Sequence, residues 1–193
     1  MEVTLEQFTD PATIGKYAGI CYGREGNNEK RLKHIIDVGH LSCLRFGMAV
    51  FKVSGISRVC LAQLTRSKFL DYLVRSSRYC DESSATFIRP KDFDKLPDVV
   101  QDTLYEFEEE AHHLYEVLKA FGIKKQDARY FLPQAQSTEL YVAGNYQAWK
   151  DFIALRKTKH AQHEVRAVAA EIEILLQEVA PIIFGGTDGS SAS

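Results

Sequence analysis

The chain has 193 residues, enough for one domain with a buried core, and its 24 Lys and Arg nearly balance its 26 Asp and Glu. So even a balance gives no bulk attraction to nucleic acid or to an anionic membrane, so any anion site must be local. With no leading signal peptide, no apolar run near a membrane span in length, and cysteines (Cys21, Cys43, Cys60, Cys80) spaced unlike a zinc set, a soluble cytoplasmic protein with reduced thiols is expected.

Residues 1–24 are a mixed segment that runs out in "GICYGREGNN", where glycines and paired asparagines mark a loop. "EKRLKHIIDVGH" places Leu32, Ile35, Ile36 and Val38 at helical spacing, and Gly39 is positioned to stop the helix. "LRFGMAVFKVSG" alternates β-branched and aromatic residues and reads as a strand ended by Ser54-Gly55. The next segment, "ISRVCLAQLTRSKFLDYLVRSSRY", holds neither Gly nor Pro, so it is expected to be one helix or two in succession.

"TFIRPKDFDKLP" is an extended or looped passage broken by Pro90 and Pro97. A long amphipathic helix follows from about Pro97 to Phe121, with Val100, Leu104, Phe107, Ala111, Leu114 and Leu118 on one stripe and a Glu-rich opposite face. "KKQDARYFLP" predicts a short helix stopped by Pro133, and "TELYVAG" a second strand. Residues 145–181 are helical in pattern with a break near Lys157 to His160, and the tail 185–193 is Gly- and Ser-rich and expected to be disordered. Residues 1–184 are thus expected to form a single domain.

Within "RSKFLDYLVRSSRY" one acid, Asp71, stands against Arg66, Lys68, Arg75 and Arg78. On a helix, Lys68, Asp71, Arg75 and Arg78 would share a stripe, with Tyr72, Ser76 and Tyr79 beside it. Such a stripe is either a surface helix with Asp71 paired to Lys68 and Arg75, or an anion clamp of guanidinium forks and hydroxyls. Arg129 before a proline stop and Arg156 at the end of an apolar helix face are further candidates, because an arginine buried without a partner is costly. His112-His113 and His160-x-x-His163-Glu164 lack the spacing and third ligand of a metal site, and no metal is expected.

The order of "GHLSCLRF", a strand, "ISRVCLAQLTRSK", "SSRY", "ARYFLP", "N-x-Q-x-x-x-x-F-x-x-L-R" and "HAQHEVR" resembles the flavin-dependent thymidylate synthases, the ThyX family. The likeness covers roughly residues 32 to 184 and centres on the family motif R-H-R, seven residues, S, closed by R-Y. Here the same spacing reads Arg66-Ser67-Lys68, then Ser76-Ser77-Arg78-Tyr79.

The resemblance implies an α+β fold, mostly helical around a small mixed or antiparallel sheet, assembled as a homotetramer. It implies reductive C5 methylation of dUMP to dTMP with FAD, methylenetetrahydrofolate and NAD(P)H, a scheme that needs no cysteine nucleophile. Alternatives within the resemblance are methylation or hydroxymethylation of another pyrimidine nucleoside monophosphate, UMP or dCMP, or a flavin-less nucleotide-binding relative.

Residue by residue, the resemblance assigns the nucleotide to Gln63, Ser76, Ser77, Arg78, Arg129 and Arg156. Arg78 and Ser76 suit the phosphate, and Arg156, the catalytic candidate, suits charge that develops on a ring carbonyl as C5 attacks carbon. The flavin positions are Ser42, Arg66, Ser67, Lys68, Asn145, Gln147, Asp151 and His160. Departures gather on this side. The middle His of R-H-R is Ser67 and its second Arg is Lys68. Asp71, Leu73 and Val74 replace a Ser, an Asn and a Glu, Gln147 replaces an Arg, and Asp151 replaces a polar amide.

Overall fold

A computed structural model describes residues 1–23 and 26–185. Four antiparallel strands form one sheet in the order β1-β2-β4-β3: β1 (Glu2–Phe8), β2 (Met48–Ser57), β4 (Ser137–Asn145) and β3 (Leu70–Val74). The expected α+β class holds, and the sheet is antiparallel throughout. Of the tail 185–193, only Gly185 falls among the described residues.

The sheet's buried face follows from period-two patterning. Ala49, Phe51 and Val53 of β2 and Thr138, Leu140, Val142 and Gly144 of β4 are all buried. Against them pack α6 (Tyr146–Arg156) and α7 (His163–Val179), whose core contributions include Trp149, Phe152, Val165, Val168 and Ile172. Trp149 meets Phe51 edge-on at 5.0 Å and donates its indole N–H to the Ala49 carbonyl at 3.2 Å, so its one polar group is satisfied where it is buried. Ser54-Gly55 does not end β2. A bulge there, with Gly55 at φ 65°, lets the strand continue to Ser57.

The helices begin and end where the sequence provides for it. In α2 (Asn28–Asp37) the Asn27 side chain caps the start, and Gly39 at φ 77° closes the end. Asn145 caps α6 through Ala148 N–H, and Gln162 caps α7 after the expected break. The first segment holds β1, α1 (Pro11–Ala18) and a 3-10 turn, Gly19–Tyr22. The passage before Pro133 is α5 (Lys125–Ala128) with a 3-10 turn, Arg129–Phe131, and Pro181 opens a short α8 (Pro181–Phe184).

The long helix is α4 (Asp98–Ala120). Its expected apolar stripe is only partly covered: Ala111 and Tyr115 are buried and Leu104, Leu114 and Leu118 half-buried, while Val100 and Phe107 are exposed.

The largest correction falls on residues 58–79. Only α3 (Arg58–Leu64) is helical, and Leu70–Val74 is the edge strand β3, paired with β4 from Leu70↔Gly144 to Val74↔Leu140. Leu70, Tyr72 and Val74 turn inward and Asp71, Leu73 and Arg75 outward, a strand alternation masked in the sequence by Phe69 and Leu73, both exposed. A Cβ on Gly144 would collide with Leu70, so the glycine lets the edge strand close against Trp149. The basic helical stripe therefore does not exist.

Candidate functional site

Ser57 caps α3 through Cys60 N–H, and α3 forms one wall of a cleft of about 550 Å³ lined by Arg58, Thr65, Ser77, Arg129, Pro133 and Gln136, among others. Ser76 and Ser77 sit in the tight turn after β3, in which Tyr79 and Cys80 N–H donate to the Ser76 carbonyl. Arg129 reaches this turn from the 3-10 segment before Pro133. Its Nη1 donates to the buried Ser77 hydroxyl at 2.8 Å and its Nε to the Gln126 carbonyl at 3.0 Å. Arg78 is exposed beside the cleft, donating to Gln126 Oε1 at 3.3 Å. The turn thus carries the expected Ser76, Ser77 and Arg78 together and brings Arg129 to them, as an anion clamp requires.

A second group forms at the C-terminal end of α3. Arg156 donates from Nη2 to the Gln63 carbonyl at 2.8 Å, and Tyr72 from its hydroxyl to the Leu64 carbonyl at 2.7 Å and the Ser67 carbonyl at 3.2 Å. Helix-end carbonyls lack partners within the helix, so these donors fix the turn that carries Arg66, Ser67 and Lys68. Burial pushes the Tyr72 phenol above its ordinary value, against the Ser67 side chain and, less, the nearby Arg156 charge, and keeps it a neutral donor. Two buried atoms here have no partner of good hydrogen-bond geometry among the described residues: Arg156 Nε, and Ser67 Oγ, which lies near the Tyr72 hydroxyl. Arg66 and Lys68 point to solvent.

At the start of α6, Asn145 is occupied as a cap, and Gln147 donates to Asp151 Oδ1 at 2.9 Å one turn on. Gln147 Oε1 is also buried without a partner among the described residues. Ser42 and His160 stand elsewhere. Ser42 lines an apolar cleft of about 660 Å³ with Tyr17, Ile35, His40 and Phe46, and His160 is exposed between α6 and α7.

The structure adds residues that the sequence did not single out. Arg58 lines the Ser77–Arg129 cleft, and its guanidinium loses some basicity to burial, an effect that Glu82 opposes. Gln136 lies in the same wall. The signal for Arg58 was weak: an arginine directly after a capping serine, in "ISR".

Several candidates prove structural or idle. Glu164, weighed for metal beside His163, is committed to α3: Oε1 accepts from Ser57 N–H and Oε2 from Ser57 O–H, both at 2.6 Å. His113 is exposed and His112 packs on Phe87. Burial pushes the Cys60 thiol to about 12 and raises Cys43, so neither is set up as a nucleophile. Cys21 is exposed rather than packed. Arg75 belongs to ion pairs with Glu82 and Glu139, at 3.6 and 3.7 Å.

The family model described as "Thymidylate synthase complementing protein" matches residues 4–182. The chain is 33% identical over 199 residues to a flavin-dependent thymidylate synthase of Mycobacteroides abscessus, covering 92% of this chain and 80% of that one. It is 34% identical over 195 residues to the enzyme of that name from Mycobacterium avium, covering 90% and 78%. Against that of Mycobacterium tuberculosis it is 35% identical over 196 residues, again covering 90% and 78%.

Proposed function

The chain belongs to the family of thymidylate synthase complementing proteins, and from that premise we propose that it carries out flavin-dependent thymidylate synthesis through the groups around α3. It is a methyltransferase with a flavin cofactor, FAD, and its substrate is the pyrimidine monophosphate dUMP, methylated at C5 to dTMP. Methylenetetrahydrofolate as the carbon donor and NAD(P)H as the reductant complete the proposal. The UMP, dCMP and flavin-less readings are not favoured.

One observation carries the assignment of residues. The Arg129–Ser77 bond joins positions 52 apart in sequence inside a cleft that Arg58 also lines, so cationic and hydroxyl donors converge where a phosphate monoester fits. Ser76, Ser77, Arg78 and Arg129 take the phosphate. Gln63 and Arg156 take the ring, with the unspent Arg156 Nε suited to negative charge on a ring carbonyl during attack by C5.

The flavin-side residues fit a cofactor with polar edges. Ser67 Oγ and Gln147 Oε1 are buried without a hydrogen-bond partner among the described residues, a costly state that a bound ligand relieves. Arg66 and Lys68 supply positive charge beside Ser67; Asn145, occupied as a cap, Asp151, and Ser42 and His160, which lie apart from this group, are the other residues the proposal gives to flavin. Flavin, when bound, supplies the redox chemistry, and the protein's part is to bind, orient and polarise.

The remaining features of the proposal are a catalytic domain over 1–184, a homotetramer and a cytoplasmic location. The exposed apolar side chains Val99, Phe107 and Phe121 on and after α4 support assembly with further copies. Among the described residues, no helix is long and apolar enough to cross a membrane.

The test is direct. Purified protein reconstituted with FAD should show flavin absorbance and, with NADPH and methylenetetrahydrofolate, release tritium from C5-labelled dUMP. A protein that stays colourless after FAD addition, or that releases label from dCMP or UMP and not dUMP, would overturn the assignment.

A further inference from the structure

Glu82 is 2% exposed, yet it is not in a regular element and contributes nothing to the apolar core. A carboxylate so enclosed is stable only when paired and hydrogen-bonded. Its Oε2 accepts from Gln136 Nε2 at 2.9 Å, and its Oε1 lies 3.6 Å from Arg75 Nε and 4.0 Å from Arg58 Nη2. Its own N–H donates to the Tyr115 hydroxyl at 3.4 Å, which ties the loop to α4.

Two of these partners, Arg58 and Gln136, line the Ser77–Arg129 cleft. They are also joined to each other, because Arg58 N–H donates to the Gln136 carbonyl at 3.1 Å. The Arg58–Glu82 separation is that of an ion pair and too long for a hydrogen bond, and among the described residues Arg58 Nη2 and Glu82 Oε1 have no hydrogen-bond partners. Glu82 therefore offsets the cost of burying the guanidinium without using up its donors.

We propose that Glu82 is a positioning residue for the phosphate cleft, holding the Arg58 guanidinium in place in the wall it shares with Ser77 and Arg129. This rests on the assignment of that cleft to the nucleotide phosphate. Glu82 does not line the cleft and acts through Arg58 and Gln136, which do.

Glu82→Gln keeps the volume and an oxygen for Gln136 but removes the charge. Titrations of the FAD-loaded enzyme with dUMP and with deoxyuridine separate phosphate grip from ring binding. Glu82→Gln should raise the dUMP Kd roughly tenfold and leave the deoxyuridine Kd within about twofold. Arg58→Gln should do the same, and the double variant should lose no more than about twofold beyond either single one, because both changes remove one function. Glu82→Asp, which keeps the charge, should stay within about threefold of the unaltered enzyme and covers the case in which Glu82→Gln does not fold.

An unchanged dUMP Kd in Glu82→Gln, equal losses for both ligands, or multiplying losses in the double variant overturns the proposal. Ser77→Ala and Arg129→Gln form the separate arm. If both leave dUMP affinity intact, the phosphate assignment fails and takes the proposal with it. If both weaken dUMP while Glu82→Gln does not, only the role of Glu82 fails.

Discussion

Arg156, the last residue of α6, donates from Nη2 to the carbonyl of Gln63 in α3 at 2.8 Å while its Nε stays buried without a partner among the described residues. One side of the guanidinium is thus spent on holding two helices in register, and the other remains uncommitted. A charge held this rigidly needs no reorganisation when negative charge develops next to it, which is the condition for strong electrostatic stabilisation.

Arg156→Lys keeps a charge but loses the fork that serves both roles. We expect kcat for thymidylate formation to fall on the order of a hundredfold, with a much smaller change in KM for dUMP. Steady-state kinetics decide it: a rise in KM alone, with kcat retained, would assign Arg156 to ground-state binding.

Ser67 stands where the resemblance expects a histidine, and its buried hydroxyl, near that of Tyr72, has no partner of good hydrogen-bond geometry among the described residues. If that hydroxyl completes its bonding on flavin, Ser67→Ala should weaken FAD roughly threefold to tenfold. Quenching of flavin fluorescence on titration reads this out. An unchanged Kd would mean that Ser67 Oγ is an unrelieved cost of the fold.

How far the sequence disclosed all this depends on what kind of signal each element leaves. Stops were legible because they are local: Gly39, Pro133 and the break near Lys157 do in the fold what their residue types predict. β3 was not, because Phe69 and Leu73 put apolar residues at helical spacing in a strand, and only its pairing with β4 decides between the periods. Ser77 and Arg129 were legible as residue types in order. That they touch, although 52 positions apart in the chain, could be read only from the fold. Glu82 left no signal, since an acid in "DESS" looks like any solvated loop until burial is known.

Cys60 is fully buried in α3, and burial pushes its thiol to about 12. Near pH 8 it is protonated and enclosed, so thiol reagents should label it only after denaturation. Cys60→Ala should retain thymidylate synthesis at a stability cost of about 1 kcal/mol. Loss of activity in a folded Cys60→Ala protein would contradict a reaction scheme without a cysteine nucleophile.

Asp81 is held by Lys119, whose Nζ lies 2.8 Å from Oδ2, and by the Ser83 hydroxyl, and these bonds lower its carboxyl well below the ordinary 3.8. With the folded value depressed, the contribution to stability is present above the ordinary value and is lost as pH falls through the folded one. Asp81→Asn should therefore lower Tm by a few degrees near pH 7, with the gap closing toward about pH 2. The group is largely exposed, so the effect is small and salt-sensitive. A gap that stays constant across the acid range would assign the loss to geometry rather than to charge.

Glu164 is the strongest test of how α3 is held. It leaves the first turn of α7 to accept from both the N–H and the O–H of Ser57, and Ser57 Oγ in turn accepts from Cys60 N–H at 3.0 Å, so one buried carboxylate fixes the start of the helix that carries Arg58. Glu164→Ala strands two buried donors and should cost about 3 kcal/mol in urea unfolding with an unchanged m-value. Glu164→Gln keeps one acceptor, and the Ser57 hydroxyl can rotate to accept from the new amide, so about 1 kcal/mol is expected. Because Arg58 follows Ser57 directly, folded Glu164→Gln should also bind dUMP more weakly, and equal losses for deoxyuridine would show that the anchor serves the fold and not the cleft.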